Sequence, residues 1–474
     1  MLMKRTSILF FLIFIVFSTT ALAGTSISES TVKDQSAVEV TVYNSNFGFV
    51  KDTRHVAVPT GIGELRFMDV AATVIPETVH VKSVNQSGAF SILEQNYEYD
   101  LMNARKLLDK YVGKKIKIID VNKFQDRRDS IEATLLSNNQ DQIFRINNEI
   151  YLGHPGIKVL PEIPDNLIAQ PTLTWLYHNR GSQSQNLEVS YLANDITWKA
   201  DYIAVLDERD TAADISAWVT VDNRSGAAYN NASLKLIAGD VHRTARPPVR
   251  KVYAERVEAA EVVPQFEEKA FFEYHIYDLQ RATTVKDHQT KQIRLFQAEN
   301  VRTLKEYLVG GTTRYFTRRY ETKRITTPVN VHVRFKNDKA HNLGMPLPAG
   351  IIRVYKKDAE QRQQFIGEDT IQHTPRNEEF KLRLGRAFDI VAERTQTDFK
   401  RITSKRFESA WEITVKNHKD EKIIVGITEP MRGNWQMLEH SHPYTKVDAF
   451  TIRFDVEIPK DGETTVRYRL QTGL

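Results

Sequence analysis

Apolar and polar residues alternate with a period of two along most of the chain. The clearest runs are Val38-Glu39-Val40-Thr41-Val42-Tyr43, Val329-Asn330-Val331-His332-Val333-Arg334-Phe335 and Ile452-Arg453-Phe454-Asp455-Val456-Glu457-Ile458. Successive side chains of a strand point to opposite faces, so each run predicts a half-buried strand with one wet face. Turn-forming triplets separate such runs, as at Pro59-Thr60-Gly61, Pro348-Ala349-Gly350 and Lys460-Asp461-Gly462. Helical periodicity appears mainly at residues 101–112, where Leu101, Leu107, Leu108 and Tyr111 share a face and Gly113 follows. The predicted fold class is mainly β.

The spacing of strands divides the chain into an N-terminal β domain at 24–98, a short helix with a small barrel-like module at 99–165, and a C-terminal β-sandwich region at 170–474. The rhythm breaks at about 243–266. There Arg246-Pro247-Pro248-Val249-Arg250 precedes an acidic, Ala-rich piece, a composition expected of an exposed linker. Trp198 and Trp218 both fall in predicted strands, and Trp198 is expected to be buried.

The first residues change the picture of where such a protein works. Lys4 and Arg5 precede an apolar run at 8–17, and Ala21-Leu22-Ala23 forms a small-x-small site before Gly24. This is the pattern of a secretory signal peptide over residues 1–23, so a periplasmic or extracellular location is expected. The alternative is a retained anchor, although the run is shorter than the roughly 20 residues a spanning helix needs. The chain has no Cys, which removes disulfides, thiolate chemistry and Cys metal sites. Its 474 residues are 41% hydrophobic, enough for packed cores. Removing Lys4 and Arg5 lowers the formal charge of +5 by two, which leaves a weakly basic protein.

The stretch Val219 to Asp240, VTVDNRSGAAYNNASLKLIAGD, gathers Asp, Ser, Asn and Gly in one place. Ile215, Ala217, Val219 and Val221 alternate with polar partners before it, and Leu234-Lys235-Leu236-Ile237 resumes afterwards. Asn, Ser and Gly are turn residues, so the expected structure is strand, connecting loop at 223–233, and strand, rather than a cluster of reactive groups. A nucleophilic Ser225 would require a base and an oxyanion site, and the Gly-x-Ser-x-Gly elbow is absent.

Tyr191-Leu192-x-x-x-Ile196-x-Trp198-Lys199-Ala200-x-Tyr202 precedes Val221-x-Asn223-x-Ser225-Gly226-x-x-Tyr229-x-x-Ala232-x-Leu234. Further on stand Leu347-Pro348-Ala349-Gly350-x-x-Arg353-Val354-Tyr355, Leu384-Gly385-x-Ala387-Phe388-Asp389 and Gly462-Glu463-Thr464-x-Val466-x-Tyr468. Together, over about 170–474, they resemble the C-terminal domain of unknown function of mucoidy-inhibitor-type bacterial proteins. Tyr43-Asn44 and Val50-x-Asp52-x-Arg54 resemble that family's N-terminal β domain. The longer members carry a coiled coil between the two domains, whereas here the short helix and barrel-like module stand in its place. The resemblance implies an exported β protein and no defined reaction.

Candidate chemistry is sparse. His440 and His442 flank Ser441 and would share a strand face, so with Glu439, Asp448 or His418 they would begin a zinc site; the simpler reading is a polar strand end. Asp389 and Glu393 would serve as a carboxylate pair, but their interleaving with Arg386, Arg394, Lys400 and Arg401 also fits a solvated ion-pair face. The densest cationic run is Thr312 to Thr327, TTRYFTRRYETKRITT. Arg314, Tyr315, Arg318, Arg319, Tyr320, Lys323 and Arg324 would lie on a β ribbon suited to anionic lipid headgroups or acidic glycans. The alternative is a basic edge strand that discourages edge-to-edge pairing. Export disfavours nucleic acid as the partner, and no phosphate loop, cofactor or metal site is expected. These features favour a non-enzymatic envelope protein that binds or assembles surface components, polysaccharide among them. The alternatives are an extracytoplasmic hydrolase of glycan or peptide, using His440/His442 or Asp389/Glu393, and a purely structural β protein.

Overall fold

The computed structural model describes residues 26–98, 104–122, 127–139, 141–162, 170–239, 241, 266–271, 274–320, 324–358 and 360–473. The expected signal peptide (1–23) and all but Phe266 of the expected linker (243–266) lie outside these residues. The fold is mainly β. The alternating runs are strands with one dry face: along Gln35–Tyr43, Val38, Val40 and Val42 are buried while Glu39 and Thr41 are not. One α-helix, Ala104–Lys110, lies among the described residues and gives way to a turn at Gly113. No helix among them is long and apolar enough to cross a membrane.

The chain divides into two units interleaved in sequence: residues up to 36, 53–70 and 80–189 form the first, and 37–52, 71–79 and 190–474 the second. In the first unit a four-stranded sheet runs in the order Ser26–Ser30, Gly61–Met68, Thr172–Asn179, Phe90–Glu98. Thr172–Asn179 falls within the expected C-terminal region but belongs to this sheet, where its Leu173, Trp175 and Tyr177 are buried. Arg54 is buried beside them, its guanidinium carbon 3.7 Å above the Phe67 ring. It donates to the carbonyls of Ser30 and Met68, so the charge enters the core with hydrogen-bond partners.

The same unit holds the module expected to be barrel-like. Its five strands lie in the order Glu149–Leu152, Ile143–Ile146, Arg127–Ser137, Lys115–Asn122, Ile157–Val159. The two outermost strands are joined by residues 153–156 alone. Flat, their edges would stand about 19 Å apart at the usual strand spacing, roughly the full reach of that connection. The sheet therefore bends around Leu108, Tyr111, Ile116, Ile118, Leu135 and Phe144, remaining open rather than closing into a barrel. A two-residue turn at Asn147 and Asn148, with φ of 47° and 70°, forms its tightest hairpin.

In the second unit a ten-stranded and a five-stranded sheet pack as a β-sandwich. Tyr307, Val309, Val425, Ile427, Phe454 and Val456 from the first meet Ile390, Ala392, Trp411, Ile413, Val466 and Leu470 from the second. Gln289–Gly310 spans 22 residues. It pairs with Ala212–Asn223 along its first part and with Val329–Lys336 and Ile423–Pro430 along its last.

The stretch 219–239 is strand, loop and strand, and its two strands belong to different sheets. Ala212–Asn223 pairs with Ile196–Leu206 and Gln289–Gly310, whereas Tyr229–Ala238 joins a different sheet, parallel to Gln35–Tyr43 over 39–43. Buried polar groups make the crossing. Asn223 accepts from the Ser225 amide and hydroxyl and donates to the carbonyls of Ala227 and Lys286. The Ser225 and Tyr229 hydroxyls are 2.9 Å apart, and the Ser225 carbonyl accepts from Thr73. Gly226, at φ 81°, passes so close to Ala72 that a Cβ would lie 2.4 Å from the Ala72 Cβ. Ser225 is thus a fully buried joint that hydrogen-bonds the loop together.

Trp198 is 3% exposed, donates to the Ile237 carbonyl and meets Tyr277 edge-on at 6.2 Å. Trp198→Ala is expected to cost about 3–5 kcal/mol in denaturant titration. Acid should act on the same unit through two histidines. Burial lowers the ordinary value of His332, whose Nδ1 is buried without a partner, and of His373, whose Nδ1 accepts from the Ala349 amide. The unfolded chain takes up these protons first, so stability should fall as pH drops below the ordinary histidine value of 6.5. His332→Gln with His373→Gln should flatten that decline in melts recorded from about pH 7.5 to 5.

Candidate functional site

A ribbon over 312–327 would send alternate aromatic rings into water. Instead Thr313–Phe316 winds into a 3-10 turn and Ile325–Thr327 forms a short strand. Phe316 is buried, and Tyr315 and Tyr320 pack on Trp411 with ring centroids at 5.2 and 5.7 Å. The two tyrosines meet edge-on at 5.5 Å. Burial of these rings outweighs the local alternation, so the segment folds around them. Tyr320 sits partly buried, which raises its hydroxyl above the ordinary value against the pull of Arg314, Arg318 and Arg394.

Beneath the rings lies an ion pair with no solvent exposure. Arg394, on Ile390–Arg401, places Nη2 2.6 Å from Oε1 of Glu429, on Ile423–Pro430. The contact is close but lacks hydrogen-bond alignment, and Glu429 Oε2 has no hydrogen-bond partner. Arg394 Nη1 donates to the Tyr468 hydroxyl at 3.3 Å. Its guanidinium carbon lies 4.6 Å from the Tyr315 ring centre and 5.8 Å from that of Trp411, in the range of cation–π attraction. Burial disfavours the Arg394 charge, yet the adjacent Glu429 holds it protonated. Burial pushes the Glu429 carboxyl up, against the opposing pull of Arg394, and carries the Tyr468 hydroxyl well above its ordinary value. Gly311 runs directly over this pair: a Cβ there would fall 2.1 Å from Glu429 Oε2.

Gln396 fastens the turn from the same strand as Arg394. Its amide nitrogen donates to the Arg318 and Tyr315 carbonyls, and its oxygen accepts from the Tyr320 amide. With the rings and backbone held, Arg314, Arg318 and Arg319 project into solvent. Arg319 donates to the Phe399 carbonyl at 3.3 Å, and none of the three pairs with a carboxylate among the described residues. Lys323 lies outside those residues. Arg324 differs from the other arginines because it sits 3.5 Å from Glu393.

The remaining candidates do not converge. Glu393 is engaged by Lys416 at 3.1 Å as well as by Arg324. Asp389 is exposed in the turn before that strand, and its carbonyl accepts from the His418 amide. His440 ends the strand Trp435–His440, and the chain turns there, so His442 does not continue its face. His440 Nδ1 lies 2.9 Å from the His442 carbonyl, and His442 Nδ1 lies 2.8 Å from the Ser441 hydroxyl. No group of three or more His, Asp or Glu among the described residues is placed to hold a metal ion. Two surface depressions, one lined by Arg105, Leu108 and Asn138 and the other by Asp207, Thr211 and Lys357, include none of these candidates. The residues that organise the site, Glu429, Gly311 and Gln396, were missed in the sequence. Arg394 was read there as surface charge, although its apolar neighbours Ile390 and Ala392 are a sign that its face turns inward.

Arg394→Met should destabilise the protein by about 3–5 kcal/mol, because it leaves Glu429 buried and uncompensated. Adding Glu429→Leu should recover a large part of that loss in denaturant titration. Gly311→Ala should cost about 1–3 kcal/mol by overpacking against the held carboxylate.

No curated protein matches this chain. The family described as a domain of unknown function (DUF4139) matches residues 187–432, more than half of the 474 residues. The match takes in Arg394, Glu429, the turn and most of the motifs quoted above, from Tyr191 to Asp389. The chain therefore belongs to the family described as a domain of unknown function (DUF4139).

Proposed function

We propose that this protein is an exported envelope protein, of the mucoidy-inhibitor type, that binds or helps assemble anionic surface components without catalysing a reaction on them. The observation that carries this reading is the state of Arg314, Arg318 and Arg319. They are exposed and lack carboxylate partners among the described residues, on a turn whose rings and backbone are fixed from beneath. Cations held in place lose less freedom when they bind than cations on a mobile loop. They also attract anions over a distance set by salt, about 8 Å at physiological ionic strength. Arginine adds a planar fork that matches the oxygens of carboxylate, sulfate and phosphate. Support for export comes from the signal-like start at residues 1–23, and support for the family type from the motifs at 191–234, 347–355 and 384–389.

The protein should therefore bind purified envelope fractions at about 50 mM salt and be released by about 500 mM. Changing Arg314, Arg318 and Arg319 together to Gln should lower retention at least fivefold while leaving the melting temperature within about 2 °C, since exposed substitutions of this kind change stability little. Equal retention of the triple variant and the wild type would remove the turn as the binding surface. Absence of retention in both would overturn the proposal.

A further inference from the structure

A second basic segment lies against the turn. The hairpin formed by Ile390–Arg401 and Arg406–Asn417 ends in Lys400-Arg401-Ile402-Thr403-Ser404-Lys405-Arg406, and every one of these residues is exposed. It begins immediately after Phe399, whose carbonyl receives the Arg319 guanidinium. The acids nearby are already occupied: Arg469 holds Asp398 at 2.7 Å and Glu408 at 2.9 Å. Lys400, Arg401, Lys405 and Arg406 therefore join the three arginines of the turn without an ion pair among the described residues. The polar contact that Arg401 makes is from Nε to the Thr403 carbonyl, within the hairpin end itself. From Gln396, which grips the turn, to the tip at Thr403 is about 20 Å of strand. The cations form a strip rather than a pocket.

We infer that this strip is one continuous binding surface for an acidic polysaccharide, with the hairpin end 400–406 as its second half. The inference rests on the proposed binding role and names the ligand class and the missing half of its surface. Several observations favour a polysaccharide over other polyanions. Membrane attachment draws on apolar side chains pressed into the interface as well as on charge. Here Tyr315, Phe316 and Tyr320 are turned inward, and Ile402 is the large apolar side chain exposed in the hairpin end. Single-stranded nucleic acid needs accessible rings on which bases can stack, and the two tyrosines are engaged with Trp411. Acidic sugars ask for neither. They present planar oxyanions at regular intervals along a chain, which suits arginine forks spread along a strip.

The test compares the wild-type chain with two variants: Arg314, Arg318 and Arg319 changed to Gln, and Lys400, Arg401, Lys405 and Arg406 changed to Gln. Each is titrated with polygalacturonate, with neutral dextran, and with vesicles of about 30% anionic phospholipid, and melts confirm that both variants are folded. The expected result is salt-sensitive binding of polygalacturonate by the wild type, weakened at least tenfold in each variant, with dextran unbound and vesicles bound more weakly. If the hairpin variant binds polygalacturonate as the wild type does while the turn variant does not, the two-part surface is overturned and the role of the turn stands. If vesicles bind and polygalacturonate does not, the ligand class is overturned and an anionic lipid takes its place. If the wild type binds neither, the inference is overturned; retention on envelope fractions then decides the broader proposal separately.

Discussion

Arg394 and Glu429 impose the constraint around which this part of the sandwich is built. Taking two charges out of water costs several kcal/mol per ion even after relaxation. The return comes from a 2.6 Å contact, the Tyr468 hydroxyl, and two aromatic faces worth roughly 0.5–2 kcal/mol each. Buried pairs of this kind often add little over well-packed apolar residues of similar volume, so the pair is weak evidence for net stability. It adds placement. A guanidinium in the core attracts aromatic faces, and Tyr315 and Trp411 are set against it; a carboxylate beside it leaves room for Gly311 but for no larger residue. An apolar core at the same position would pack the segment 311–320 without specifying where it turns.

That buried order explains the outer surface. Across the sandwich, charges on the wet faces are commonly matched between neighbouring strands, as in Arg467 with Glu412, Lys416 with Glu393 and Arg334 with Glu379. Such pairs contribute little individually, but they leave the surrounding surface near neutral. Against it, a group of unmatched arginines and lysines is a local excess that the sheet beneath does not cancel. The modest net charge of the whole chain hides it, because the excess arises from where the partners are, not from how many there are.

Much of the fold was legible because burial follows alternation. Ile452, Phe454, Val456 and Ile458 fall inward as their period demands, and so do the apolar residues of the run at 38–43. What was not legible depends on contacts distant in sequence. The strands Ala212–Asn223 and Tyr229–Ala238 are legible from spacing, but their placement in different sheets depends on partners at 196–206, 289–310 and 35–43, with Asn223 and Ser225 hydrogen-bonding the loop between them. The rings at 315–320 are interleaved with cations along the sequence, and Trp411, almost a hundred residues further on, supplies the surface on which Tyr315 and Tyr320 both pack. Asp398 stands two residues before Lys400 in the sequence, yet it is Arg469, from the strand Gly462–Gly473, that holds it.

The interleaving of the two units also governs the order in which the chain can fold. Residues 39–43 belong to the second unit and find their parallel partners at 233–237, nearly two hundred positions later. Residues 200–206 similarly wait for 350–356. Neither unit is a continuous block, and the second, which takes in residues 37–52, waits for strands made much later; pairings this distant close large loops before they gain contacts. Such a chain should stay open and slow to settle as it leaves the ribosome, exposing unpaired strands meanwhile. If the proposed export carries the chain across a membrane as an extended thread, delayed folding is an advantage, and here it follows from topology.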